Sequence, residues 1–204
     1  MKQSFTENNH LFKQAVPFSI LWLTLGLFFN TNALKAEEIP LKEIDFLGLK
    51  LIDADINSVR SHLWDVGGFL QAKSTVRQRH IDKFFTWSTI RDSYYVEFTY
   101  NHSGRLTQLK RLYRPYSILT NNTRYPIKTR DIANLFIEQL GEPTAIKRKG
   151  WGGGNSYPSY QWEDDDIKIT IDREGSEVLG KPFVSYQIKG NKRYEVIKDE
   201  DTGV

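Results

Sequence analysis

The stretch from Phe85 to Leu106, FTWSTIRDSYYVEFTYNHSGRL, returns in altered form from Tyr160 to Val178, YQWEDDDIKITIDREGSEV. Phe85-Thr86-Trp87 answers Tyr160-Gln161-Trp162. Val96, Phe98 and Tyr100 answer Ile167, Ile169 and Ile171. Asn101-His102-Ser103-Gly104 answers Asp172-Arg173-Glu174-Gly175. Each copy has the pattern of a strand, a connection, an alternating strand and a polar turn closed by glycine. Alternation with period two places every second side chain on one face. A single short copy cannot bury such a face alone, so the echo predicts an α+β fold: two tandem helix-plus-antiparallel-strand repeats forming one sheet with helices on one face.

The helices of that scheme come from two amphipathic stretches. Asp53 or Asp55 can cap the first, because a carboxylate there accepts the free amide hydrogens of the opening turn. Ile56, Val59 and Leu63 follow at helical spacing, and Gly67-Gly68 stops the run. Thr129 is placed to cap the second, with Ile132, Leu135, Phe136, Ile137 and Leu140 as its apolar stripe and Gly141 and Pro143 as its end. Short strands are expected near Phe46–Leu51, over 69–76, at 94–100, 105–114, 144–149, 160–163, 167–172 and 182–189. Leu106 and Leu109 break period two in the fourth of these, which signals a bulge. The repeats are bounded at residues 37–118 and 119–191, with a charged tail at 192–204.

Residues 1–36 have the build of a secretory signal peptide. Lys2 and Lys13 precede an uncharged apolar run from Val16 to Phe29, about fourteen residues and short for a membrane span. Small residues follow at Thr31, Ala33 and Ala36, so cleavage is expected after Ala33 or Ala36. Localisation is then periplasmic or secreted, with no membrane span after leader removal. Lys2, Lys13 and Lys35 against Glu7 put a net +2 in this segment, leaving +1 of the chain's +3 for the rest. That weakens the case for nucleic acid as a partner. With no cysteine in the chain, disulfides and thiolate chemistry do not enter.

The second half carries Leu140-Gly141-Glu142-Pro143, then Tyr160-Gln161-Trp162, then Ile167-Lys168-Ile169-Thr170-Ile171-Asp172-Arg173-Glu174-Gly175. This order resembles the superfamily of SmpA-like outer-membrane assembly lipoproteins and β-lactamase inhibitor proteins, whose unit is a helix, Leu-Gly-x-Pro, an aromatic strand and a strand ending in Asp-x-x-Gly. The first half departs from it at Gly67-Gly68, where no proline follows. The resemblance implies exported proteins that bind other proteins and catalyse nothing. The single-unit relatives are lipid-anchored through a cysteine that this chain lacks.

Candidate chemistry is sparse. Glu163-Asp164-Asp165-Asp166 is either a carboxylate site for a divalent cation or a solvated turn, and the turn is favoured. His62, His80 and His102 sit in no nucleophile or zinc motif. Lys147-Arg148-Lys149 is either an anion patch or a charged edge strand that blocks aggregation. Trp151-Gly152-Gly153-Gly154-Asn155-Ser156-Tyr157 has the composition of a binding loop. On the strand face turned away from the helices, Tyr95, Glu97, Thr99, Lys168 and Thr170 are contact candidates. The expected function is an exported, non-catalytic protein-interaction module of the bacterial envelope, binding through Trp151, Tyr157, Lys147, Arg148, Lys149, Tyr95 and Glu97, with another envelope or secreted protein as partner. No cofactor or metal is implied. The alternative is a periplasmic hydrolase or a small-ligand- or cation-binding protein. The leader makes the first testable statement: the mature chain begins at Leu34 or Glu37. Intact-mass measurement of exported protein that returns all 204 residues would refute cleavage.

Overall fold

The computed structural model describes residues 39–119, 124–151 and 155–191. The expected signal peptide, Gly152–Gly154 of the glycine-rich loop, and the charged tail lie outside them. The chain opens with a two-stranded ribbon, β1 (Asp45–Phe46) and β2 (Leu49–Lys50), turned by Leu47 and Gly48. Helix α1 (Ile56–Val66) leads into β3 (Phe69–Gln71), β4 (Ile81–Thr86), β5 (Ser93–Tyr100) and β6 (Leu106–Tyr113). Helix α2 (Thr129–Leu140) leads into β7 (Ala145–Gly150), β8 (Ser156–Glu163), β9 (Ile167–Arg173) and β10 (Pro182–Ile188). The eight longer-range strands make one sheet in the order β3-β4-β5-β6-β10-β9-β8-β7, with every neighbour antiparallel. No helix among the described residues is long and apolar enough to cross a membrane.

This architecture corrects the tandem-repeat scheme. The molecule is dominated by one continuous sheet, and α2 is the helix that packs along it, over β8 and β9. The residue pairs expected to match do not. Trp87 lies beyond the end of β4 and is 71% exposed, whereas Trp162 sits inside β8 at 2%. Gly104 closes a turn, whereas Gly175 lies in a short 3-10 segment. The physical reason is that strand–turn–strand echoes specify hairpins, which any antiparallel sheet contains. They carry no instruction about how helices pack on it.

The core lies between the sheet and the helices. Val96, Phe98, Ile167, Ile169, Ile171 and Val184 are all fully buried on the sheet's inner face, and Val59 and Leu63 of α1 close onto the same cluster. Phe98 is met edge-on by Phe46 and Phe84, each at 6.0 Å between ring centres. Phe136 of α2 lies 5.7 Å from Trp162 and 6.2 Å from Tyr186. The indole of Trp162 donates to the carbonyl of Gly141, 3.0 Å away, tying the end of α2 to β8.

The caps are local chemistry. Asp55 is the N-cap of α1, accepting from the amides of Asn57 and Ser58 while the Ser58 hydroxyl accepts from the Asp55 amide. These hydrogen bonds, with Ser58's first, hold the Asp55 carboxyl below the usual aspartate range. The cap therefore stabilises α1 above that range and is lost as pH falls through the lowered value. Thr129, by contrast, is not a cap. Lys128 occupies that position, its amide donating to Asp131, and the Thr129 hydroxyl donates instead to the Pro158 carbonyl of β8 at 2.7 Å. The stripe of α2 is also rotated from expectation: Ala133 is buried and Leu135 is 58% exposed. Gly67 and Gly141 end the two helices with φ of 73° and 75°, a region that favours glycine.

Two bulges punctuate the β5–β6 pair. Thr99 faces Gln108 and Tyr100 faces Leu106, so Thr107 is the extra residue at the break that Leu106 and Leu109 signal. At the other end Ser93 faces Tyr113 and Tyr95 faces Leu112, leaving Tyr94 unpaired. Tyr94 is therefore 41% exposed rather than part of the buried alternation with Val96 and Phe98. Phe98→Ala should cost about 3–5 kcal/mol in denaturant unfolding, the range for emptying a large aromatic site. A loss below about 1 kcal/mol would mean that the ring is not the centre of the packing.

Candidate functional site

Both helices leave one sheet face uncovered. Cross-strand register orders the side chains of that face into rows. One row runs Leu70, Phe85, Tyr95, Leu112, Phe183 and Asp172. The next runs Lys83, Glu97, Lys110, Ser185 and Thr170. The first is aromatic and apolar as far as Phe183 and ends in Asp172, and the second is charged and polar, so cations lie over rings. Lys83 Nζ stands 4.1 Å from the centre of the Tyr95 ring, and Lys110 Nζ stands 4.9 Å from that of Phe183. Lys83 also pairs with Glu97 at 3.0 Å, and Lys110 with Glu174 at 3.4 Å. Burial, with Glu97 next in effect, pushes the Tyr95 phenol up to about 12, so it remains a neutral hydrogen-bond donor.

Tyr95 and Glu97 thus come together as the sequence pattern implies, but with cations that it does not reveal. Phe85 and Tyr94 extend the aromatic group, with ring centres 5.8 Å apart; Tyr95 is 5.8 Å from Tyr94 and 6.4 Å from Phe85. Phe85 and Tyr94 are exposed. A ring held by its neighbours offers contact area with few rotamers to freeze, which is how aromatic anchors serve protein interfaces.

The second group of candidate residues lies at the far edge of the sheet, on β7 and β8. Trp151 is 84% exposed. Tyr157 is not exposed beside it. At 5% exposure its hydroxyl donates to Asp172 Oδ1 at 2.9 Å, so its anchoring role gives way to a structural one. Lys149 donates to the other oxygen of the same buried carboxylate. Arg148 Nε donates to the Ser156 hydroxyl at 2.8 Å, and Lys147 is exposed on β7. The three basic residues therefore do not act as one patch. Strand alternation sends Lys147 and Lys149 to one face and Arg148 to the other.

The carboxylate run is the turn between β8 and β9. Asp164 Oδ1 accepts from the amides of Asp166 and Ile167 at 2.9 and 2.8 Å, closing the turn. Glu163 pairs with Lys189 at 2.9 Å and Lys168 at 3.3 Å, which lower its carboxyl below the usual range. His62 bonds the Leu47 carbonyl through Nε2 at 2.9 Å, while His80 and His102 are exposed. Among the described residues, no three acidic or histidine side chains gather as a metal site.

Comparison with protein-family models, with curated proteins and with solved structures finds no match to this chain. The residues themselves therefore carry the functional argument. They separate Trp151 from Tyr157 sharply: Trp151→Ala should shift unfolding free energy by no more than about 0.5 kcal/mol, while Tyr157→Phe should cost about 1–3 kcal/mol by removing a donor from buried Asp172. Urea titrations of the two variants check this, and equal losses would refute the division.

Proposed function

We propose that this chain is a protein-interaction module of the bacterial envelope that binds another envelope or secreted protein through its uncovered sheet face. The observation that carries the reading is the group of exposed and half-exposed rings on that face, with lysines over Tyr94, Tyr95 and Phe183. Apolar contact area and oriented charge on one surface suit recognition of a folded partner: the rings supply desolvated area, and the charges set orientation and encounter rate. Export rests on the leader's composition. The resemblance to SmpA-like and inhibitor proteins agrees with a binding role and adds no residue of its own.

The test is capture from envelope extract. Lys110→Glu reverses one charge on the face and sets a carboxylate opposite Glu97 and beside Glu174; it should cost about 1 kcal/mol and leave the protein folded, because the inner core is untouched. Capture of the partner seen with the unaltered protein should fall on the order of tenfold, about 1.4 kcal/mol. Undiminished capture by Lys110→Glu, or repeated failure of the unaltered protein to retain any specific partner, would overturn the proposal.

A further inference from the structure

A cavity of about 440 Å³ opens where β5 begins, β6 ends and β10 begins. Its walls are Tyr94, Pro115, Tyr116 and Ile118, and its charges are Arg114, Arg124 and Lys181. Among the described residues no carboxylate lines it and no salt bridge engages any of the three cations. Asp92, the nearby acid, is turned into the chain: its two oxygens accept from the Ser117 hydroxyl at 2.7 Å and the Ile118 amide at 2.8 Å. Lys181 Nζ lies 4.8 Å and the Arg114 guanidinium 5.8 Å from the centre of the Tyr94 ring. Two like charges are thus gathered on one ring, and among the described residues neither is in an ion pair.

The site is built rather than incidental. Tyr94 points here because it is the supernumerary residue of a bulge, and a bulge re-aims a side chain. The residue before it is bolted down. Ser93 is fully buried, its carbonyl takes the Thr86 hydroxyl at 2.6 Å, and its hydroxyl takes Arg111 Nε at 2.7 Å. Arg114 is held by a bond from Nε to the Arg91 carbonyl at 3.1 Å. The segment bearing Tyr116 is fixed to residues 125–127, with Ser117 N bonding Tyr125 O at 2.9 Å and Ile127 N bonding Pro115 O at 3.0 Å. Tyr94, in turn, is continuous with the Phe85–Tyr95 aromatic group of the open face.

We infer that this pocket receives an acidic peptide segment of the partner, with a carboxylate set between Arg114 and Lys181 and a neighbouring apolar or aromatic side chain against Tyr94, Tyr116 and Ile118. The inference rests on the reading of the open face as the binding surface and adds the chemistry of what is bound. Unbalanced positive charge calls for an anion. The apolar walls and the continuity with the aromatic row call for an anion attached to a larger apolar body, which a partner's acidic loop supplies and a free inorganic anion does not.

The test is an amide-shift NMR titration of the isotope-labelled protein with three probes: an octapeptide alternating Glu and Tyr, its Lys–Tyr counterpart, and inorganic phosphate. The Glu–Tyr peptide should saturably shift the amides of Tyr94, Arg114 and Lys181. Lys181→Gln should weaken that binding about two- to fivefold, and added salt should weaken it further. Equal shifts from the Lys–Tyr peptide would reduce the pocket to an aromatic contact and overturn the inference. So would saturation by phosphate that leaves nothing for the peptide to add, or concentration-dependent shifts without any probe, which would mark a second copy as the occupant. The broader reading is separable. If Lys110→Glu loses the envelope partner and Lys181→Gln keeps it, the open face stands and the pocket inference falls. If the peptide binds here while Lys110→Glu captures normally, the pocket stands without that face.

Discussion

A fully buried carboxylate organises the first half of the sheet. Asp82 on β4 accepts Arg60 Nε and Nη2 at 2.8 Å each, Gln71 Nε2 at 2.6 Å and the Tyr100 hydroxyl at 3.2 Å. One side chain thereby ties α1, β3, β4 and β5 together. A buried charge is tolerated only when it is fully paired, and removing one partner typically costs about 3–5 kcal/mol. Arg60 is held charged above its ordinary value by this hydrogen bond, and burial raises the Tyr100 phenol far above its own, so both remain donors across ordinary pH. The clamp draws α1 onto the inner face. The same geometry leaves the outer face bare.

Asp172 does a related service from the outer face. It takes Tyr157, Lys149 and the Arg173 amide, securing β7 and β8 to β9 near the far edge. That edge is otherwise a hazard, because an unpaired strand invites another to add to it. Lys147 and Arg148 are exposed on β7 and make apolar edge-to-edge pairing costly, and at the opposite edge β3 is only three residues long. The open face can therefore be rich in rings without the sheet extending itself.

How much of this was legible in the sequence depends on the length scale of the signal. Period-two alternation at Val96, Phe98 and Tyr100, and at Ile167, Ile169 and Ile171, names the inner face because the pleat admits one phase only. The bulge at Thr107 shows as a broken alternation. The one at Tyr94 does not, because an aromatic next to another aromatic hides the missing step. Thr129 has the chemistry of a cap, yet Pro158 offers a carbonyl that only the folded β8 brings close. Leu135 and Ala133 exchange places because a helix stripe is fixed by what it packs on, and α2 packs on β8 and β9. Trp87 and Trp162 share a local motif but not a location, and Tyr157 is buried against an aspartate fifteen residues away. The cation pocket is invisible in one dimension. Tyr94, Arg114 and Lys181 become neighbours only when β6 and β10 pair.

The bulge at Tyr94 also bears on how such a surface could arise. Ser93 faces the core and Tyr95 faces outward, as adjacent residues of an unbroken strand would. Tyr94 is thus one codon more than the β-ladder uses. Its loss would restore plain alternation and move no core side chain to the wrong face. An insertion or deletion of three nucleotides could create or erase the aromatic wall of the pocket while the fold persisted, so a lineage carrying this sheet could remodel that surface in a single step.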